Sequence, residues 1–280
     1  MIKKFKKTYI EITNACNLKC PFCPGTKRKK QYMEPALFEE ILKKIKSTSK
    51  RLYFHVMGEP LMHPDIALFL DKCAEYGYEV TLTTNGTLID KAYPLISKPA
   101  LRQITFSLHS EGNNVDGYLE KIFGFINKSR ESRLLICLRL WNHTGVSGNN
   151  RQILKKIQEN FSLDYEIQDK PTPPNGIKLA EYIFLNQSEQ FEWPDINGPV
   201  IGDKGFCYGL RSQMAILVDG TVVPCCFDAE GVINLGNIRD NTLEEIFKSK
   251  RSQAIFNGFA RKQAVEELCK KCSYRTRFEL

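Results

Sequence analysis

Residues 16–23 read Cys16-Asn-Leu-Lys-Cys20-Pro-Phe-Cys23, three thiols within eight positions, just after a strand-like segment. In a continuous helix these positions would share one face. Pro21 and Pro24 argue against that, since each lacks a backbone donor and disfavours the α region in the residue before it. The thiols therefore belong to a loop. Three thiolates in one loop can hold three irons of a [4Fe–4S] cluster and leave the fourth open to a small molecule. Zinc, with four protein ligands or three and a water, is the competing reading.

Composition narrows the setting. The chain has 280 residues, of which 42% are apolar and 26% charged, enough apolar content for a large core. Ten cysteines could signal a disulfide framework. However, the start, Met1-Ile-Lys-Lys-Phe-Lys-Lys, has no apolar signal region. No stretch approaches the ~20 apolar residues that span a membrane. A cytoplasmic protein with metal-binding thiols is the expectation, with no membrane partner. The net charge is +8, with one dense basic run, Lys27-Arg28-Lys29-Lys30. It reads either as a solvated loop or as a lure for an anionic substrate. A polymeric nucleic acid is not an expected partner.

From residue 8 to about 168 strand and helix signals alternate. Strands are expected at 8–13, 51–57, 79–84, 103–109, 134–141 and, weakly, 165–168, with an added strand at 177–185. Helices are expected at 35–47, 65–76, 88–96, 115–128 and 150–160. Such repeats imply a parallel sheet with flanking helices. The fold class is α/β, a partial (βα)6 barrel with parallel strands plus a small C-terminal β-hairpin/helix domain. Split by the period of two, one strand face carries Ile10, Ile12, Leu52, Phe54, Val56, Val80, Leu82, Ile104, Phe106, Leu108, Leu134, Ile136 and Leu138. The other carries Glu11, Tyr53, His55, Asn85, Ser107, His109, Arg139 and Trp141. A parallel sheet is normally apolar on both faces, so the second face suggests a chamber for a polar ligand. The domain reading is 1–170 core, 171–206 linker with an anchoring segment at 191–194, and 207–280 auxiliary domain.

The late cysteines form a second group. Asp219-Gly220 marks a hairpin that would bring Cys225 beside Cys207, and Cys269-Lys-Lys-Cys272 would close the set. Four ligands suit a cluster or a tetrahedral zinc. Cys226 would point away from Cys225 into the core, and Cys73 and Cys137 read as buried small residues.

With these residues in hand, the chain resembles the radical S-adenosylmethionine (SAM) superfamily. The resemblance rests on Cys16-x3-Cys20-x2-Cys23 with Phe22, on Gly58-Glu59-Pro60, on Thr84-Asn85-Gly86 and on Ser107-Leu108-His109. Met57 stands where the family usually has a first glycine. The C-terminal part resembles a reduced SPASM/twitch extension through Cys207-x12-Gly220-x4-Cys225 and Cys269-x2-Cys272. With the chain ending eight residues after Cys272, one auxiliary cluster is expected rather than two.

The resemblance implies a [4Fe–4S] cluster with an open iron on Cys16, Cys20 and Cys23, SAM as its ligand, and one auxiliary [4Fe–4S] cluster on Cys207, Cys225, Cys269 and Cys272. It implies that Gly58 and Glu59 hold the SAM amino group. Asn85 and Ser107 would face its ribose or methionine portion, Arg139 its carboxylate and Phe22 its adenine. Glu11, Tyr53, His55, His109 and Trp141 become candidate substrate contacts. A reductant such as flavodoxin or ferredoxin is the implied protein partner. The substrate is expected to be small, a nucleoside, nucleotide or sugar-like molecule. Within the superfamily the chain is somewhat similar to queuosine lyases. The alternatives are a dehydrogenase of a sugar or aminocyclitol, a peptide maturase, and a non-catalytic cluster- or zinc-binding protein.

Overall fold

Apolar residues at every second position set the strands in the computed structural model, which describes residues 4–110, 114–142 and 149–278. The residues of the apolar strand face named above are all buried, none more than 7% exposed. The chain packs as two compact units, Met1–Glu79 with Phe191–Leu280, and Val80–Gln190.

In the first unit, β1 (Lys7–Ile10) lies parallel to β2 (Arg51–Phe54) on one side and to β8 (Gln213–Ile216) on the other. The short β9 (Val222–Val223) runs antiparallel to β8. Asp219-Gly220 makes the hairpin turn, with Gly220 at φ +92° where a side chain would be strained. Helices α1 (Pro35–Ile45) and α2 (Ile66–Glu75) supply the core. Phe38 is fully buried, stacked on Phe69 at 4.0 Å and edge-on to Phe54 at 5.6 Å. Burying each such ring contributes about 1.5–3 kcal/mol. After the hairpin come α5 (Leu243–Lys248), opened by a Thr242–Glu245 capping box, α6 (Lys250–Ala260) and α7 (Glu267–Lys270).

The second unit holds β3 (Glu79–Thr84), β4 (Leu101–Ser107), β5 (Leu135–Leu140) and β7 (Ile183–Gln187), successively parallel, with β6 (Ile177–Ala180) antiparallel to β7. Helices α3 (Val115–Ser129) and α4 (Asn150–Asn160) accompany them. The fold class is the one read from the sequence: α/β, with the parallel strand–helix repeats of a partial barrel and a C-terminal hairpin-and-helix region.

Three local expectations change. The sixth parallel strand is β7, not 165–168. Only Ile167 of that stretch is buried, whereas β7 buries Ile183, Leu185 and Gln187 in alternation. The helix expected at 88–96 is two 3-10 turns, Ile89–Lys91 and Tyr93–Leu95, because Pro94 cannot donate within a helix interior. Strand β2 stops at Phe54, because residues beyond it turn toward the segment before Cys16 and bond there instead.

That turn has no room for a side chain. Gly58 has φ +81°, and an added Cβ would lie 2.4 Å from the Thr13 carbonyl oxygen and 2.8 Å from that of Ala15. Next to it, Glu59 N–H donates to the Ala15 carbonyl at 2.8 Å. His63 braces the same turn from behind. It is buried, its Nε2–H donates to the Met33 carbonyl at 3.0 Å, and its Nδ1 accepts from the Asp65 amide at 3.0 Å.

Two outcomes are expected from this packing. Gly58→Ala should destabilise the protein by more than about 2 kcal/mol, measured by urea unfolding, since neither the φ nor the contact can be relieved locally. Burial holds the His63 pKa below its usual 6.5. The unfolded chain therefore takes up the proton first, and stability falls as pH drops below about 6.5. His63→Gln keeps one donor and one acceptor without the titration. Its stability should fall less between pH 7 and pH 5, by a slope difference of up to about 1.4 kcal/mol per pH unit. Equal slopes would show that His63 does not titrate on unfolding.

Candidate functional site

The cysteine loop leaves the end of β1 through a closed neck. Thr13 Oγ1 donates to the Gln31 carbonyl at 2.7 Å. Buried Asn14 donates through Nδ2 to the Lys29 carbonyl at 2.9 Å and accepts the Gln31 amide at 2.7 Å. Between these anchors the loop has no helix, as the prolines dictate. Cys16 and Cys23 are exposed and Cys20 is half-buried. The Leu18 amide points at Cys16 Sγ at 3.5 Å, and the Gly25 amide at Cys23 Sγ at 3.4 Å. Amide donors aimed at sulfur stabilise thiolates and tune the potential of iron–sulfur sites. The donor set, three accessible thiols with two so supported, fits a cluster. Phe22 is half-buried within the loop.

Glu59, beside the loop neck, is 1% exposed, and its Oε1 caps the Pro60–Met62 turn through the Leu61 amide at 3.0 Å. Glu11 occupies a different environment from the one expected for a substrate contact. It is fully buried. Oε1 accepts from Arg28 Nη2 at 2.6 Å and from the Met57 amide at 3.2 Å, and Oε2 accepts from the Val218 amide at 3.0 Å. Burial raises its pKa, and the Arg28 guanidinium opposes that rise. Arg28 in turn donates through Nε to the Ala229 carbonyl at 2.8 Å. One member of the basic run is thus internal, while Lys27, Lys29 and Lys30 are exposed. Tyr53 and His55 lie on β2 and just after it, 5.2 and 5.1 Å from the Tyr9 ring centroid. Tyr9, Met57, Leu217 and Val223 form an apolar cluster against which Tyr53, Trp193 and Cys226 pack, while Tyr53 and His55 stay half-buried.

In the second unit, Arg139 Nη2 donates to Ser107 Oγ at 2.9 Å, and the guanidinium lies 4.4 Å over the Trp141 ring. Trp141 Nε1 donates to Asn186 Oδ1 at 2.8 Å. His109 sits in a 3-10 turn beyond the end of β4. Its Nδ1 lies between the Arg139 carbonyl at 3.3 Å and the Trp141 amide at 3.4 Å. Burial, with Arg139 nearby, lowers its pKa to about 3, so the ring is neutral at physiological pH. Asn85 Oδ1 accepts from the Thr87 amide at 2.9 Å, and the Asn85 carbonyl accepts the Tyr118 hydroxyl at 2.7 Å. Ser107, Arg139, His109 and Trp141 are therefore one connected group.

The late cysteines come together. Cys207, Cys225, Cys269 and Cys272 line one cavity with Pro194, Phe227 and Tyr274. Burial raises all four thiol pKa values, Cys207 to about 11. Bound metal would have to displace those protons. The Gly209 amide lies 3.4 Å from Cys207 Sγ, repeating the pattern of the first loop. Among the described residues no three Cys, His, Asp or Glu donors are already drawn to coordinating distance around one point. Cys226 does not line that cavity but packs against the Tyr9 cluster, hydrogen-bonded to Tyr9; the two neighbours part in the turn after β9 rather than across a strand. The segment at 191–194 anchors here, with Phe191 5.0 Å from Phe227 and 5.2 Å from Tyr274.

Two residues of this region escaped the sequence reading. Arg275 is 2% exposed and donates to the carbonyls of Gly202 (2.6 Å), Lys204 and Cys269 (3.3 Å), tying 202–204 to the last cysteine pair. Asp228 is 1% exposed and accepts the amides of Val232 and Ile233 at 2.8 and 2.7 Å. Only a polar residue spaced three from Cys272 or Cys225 hinted at either.

Comparison with known proteins agrees with this architecture. Residues 10–155 match the radical SAM superfamily and residues 207–273 match SPASM, an iron–sulfur cluster-binding domain. The GTP 3',8-cyclase of Aquifex aeolicus is 28% identical over 90% of this chain and 91% of its own length. The S-adenosyl-L-methionine-dependent 2-deoxy-scyllo-inosamine dehydrogenase of Niallia circulans is 25% identical over 39% of this chain and 47% of its own length. The crystal structure of BtrN in complex with AdoMet and 2-DOIA superposes with a TM-score of 0.59 at 18% identity, covering 98% of this chain and 94% of that one. No helix among the described residues is long and apolar enough to cross a membrane. The superfamily match spans more than half of the chain, so a non-catalytic zinc protein is set aside: the chain belongs to the radical SAM superfamily, as an enzyme with a C-terminal SPASM iron–sulfur domain.

Proposed function

We propose that this enzyme cleaves SAM reductively and uses the resulting 5'-deoxyadenosyl radical to take a hydrogen atom from a nucleoside or its 5'-phosphate. The specific substrate we put forward is queuosine or queuosine 5'-phosphate, with release of the base queuine. The observation that carries the reading is the loop of Cys16, Cys20 and Cys23, with amides aimed at two of its sulfurs and Gly58-Glu59 packed on its neck. When bound there, a reduced [4Fe–4S] cluster supplies the electron that opens the SAM sulfonium.

The chain's own residues take the supporting roles. Glu59 is oriented by its capping bond to serve the SAM amino group, with Gly58 admitting the backbone. Arg139 suits the carboxylate, because a guanidinium matches carboxylate geometry, and Ser107 fixes its fork. Asn85 serves the ribose and Phe22 the adenine. Tyr53, His55 and Trp141 remain candidates for substrate. His109, neutral at physiological pH, would serve as a hydrogen-bonding group rather than a cation. The four late cysteines would hold one auxiliary [4Fe–4S] cluster, reduced like the first by a flavodoxin- or ferredoxin-type carrier.

For the substrate, two observations favour a nucleotide. Lys27, Lys29 and Lys30 are exposed next to the cysteine loop. The relative from Aquifex aeolicus, alike over nine-tenths of the chain, is named for a reaction on GTP. A second reading, oxidation of an aminocyclitol or sugar alcohol, draws on the partial likeness to the 2-deoxy-scyllo-inosamine dehydrogenase.

Anaerobically reconstituted protein given queuosine 5'-phosphate, SAM and a reductant should release queuine and 5'-deoxyadenosine in step. SAM cleavage without base release would refute the lyase reading, and a two-electron-oxidised sugar product would favour the dehydrogenase. Iron analysis should return about eight irons per chain, falling to about four when Cys225, Cys269 and Cys272 are all replaced by Ala. Cys20→Ala should lower SAM cleavage by about a thousandfold or more, as expected when the electron donor itself is lost.

A further inference from the structure

Three segments of the first unit meet on one carboxylate. Glu11, at the end of β1, is fully buried. It receives Arg28 from the cysteine loop, five residues after Cys23. It receives the Met57 amide from the turn that presents Gly58-Glu59. It receives the Val218 amide from the C-terminal hairpin. Arg28 closes the circuit through its Nε bond to the Ala229 carbonyl, beyond that hairpin and three residues after Cys226. A second link runs alongside, from the Lys27 amide to Glu230 Oε1 at 3.1 Å. The Glu11–Arg28 ion pair thus joins the cysteine loop on its far side to the C-terminal hairpin region and on its near side to the Gly-Glu turn, alongside the Lys27–Glu230 link and the Glu59 amide bond to Ala15.

Stability alone explains such a pair poorly. A buried ion pair often contributes no more than well-packed apolar residues of the same volume. What it does supply is fixed direction. A guanidinium holding a carboxylate and a carbonyl in set orientations defines where its backbone lies. We propose that Glu11 and Arg28 are a positioning pair that sets the cysteine loop against the Gly58-Glu59 turn and makes that setting depend on the folded C-terminal hairpin. The proposal rests on SAM binding at the Cys16–Cys23 cluster, and on no particular substrate. The bonds of the pair go to one another, to the Met57 and Val218 amides and to the Ala229 carbonyl, so both residues act through the loop.

The test uses the full chain, reconstituted anaerobically with both clusters. Arg28→Lys keeps the charge but loses the paired geometry. The double variant Glu11→Leu/Arg28→Met removes both charges, so no unpaired ion is left buried. Both are checked for unaltered circular dichroism and full iron content. The readouts are the change in the electron paramagnetic resonance signal of the reduced protein on adding SAM, taken before any substrate, and the 5'-deoxyadenosine formed without substrate. The pair as a positioning device predicts a shifted or absent SAM-dependent signal in both variants. It also predicts SAM cleavage slowed about ten- to a hundredfold, the scale on which a misplacement of about 1 Å acts. If the double variant folds, loads iron and gives the wild-type SAM-dependent signal and rate, the pair is only structural and the proposal is overturned. If the double variant does not fold, Arg28→Lys decides alone by the same two readouts. A wrong nucleoside assignment would leave these substrate-free readouts unchanged, so the two failures are distinguishable.

Discussion

At position 58 the backbone packs directly on backbone. The Gly58-Glu59 turn approaches the segment before Cys16 so closely that a Cβ would collide with two carbonyl oxygens. That approach cuts β2 short and sends the Glu59 amide to Ala15. It also places the Met57 amide within reach of Glu11. His63 closes the far side of the turn on Met33, which lies just past the cysteine loop. The cysteine loop is thus held at its neck by backbone contacts and buried polar bonds rather than by an apolar core of its own.

Electrostatics is arranged in the same spirit. The described residues of the first unit bury Glu11, Asp228 and Arg275, and each is met by several directed bonds. Burying a charge without such partners would be prohibitive. All three lie at junctions of the chain: Glu11 joins β1 to the hairpin, Asp228 gathers the turn at 232–233, and Arg275 joins residues 202–204 to Cys269. They fix loops that have little secondary structure to fix them.

What could be read from the sequence was local. The thiol spacing, the prolines that forbid a helix between them and the Asp219-Gly220 hairpin are short-range signals, and they describe the observed loops. Period-two alternation identified the buried strand face without error at Val80, Leu82, Ile104 and Phe106. Long-range partnerships were not legible. Nothing near Arg28 separates it from the lysines beside it, yet it alone of that run is paired to an internal carboxylate. Glu11 looked like a polar strand residue facing a ligand because its donors come from residues 28, 57 and 218. The stretch 177–185 reads as one added strand, yet it holds a tight turn between β6 and β7, and the strand–helix rhythm gave no sign that β7 would be the sixth parallel strand.

The central claim is that this chain generates a radical from SAM and directs it at a nucleoside. The most direct measurement is isotope transfer. Queuosine 5'-phosphate deuterated on its ribose is incubated with SAM, a reductant and the reconstituted enzyme, and the 5'-deoxyadenosine is weighed by mass spectrometry. The account predicts 5'-deoxyadenosine carrying one deuterium, formed in step with queuine. SAM cleavage that yields only unlabelled 5'-deoxyadenosine from uniformly ribose-deuterated substrate would contradict it.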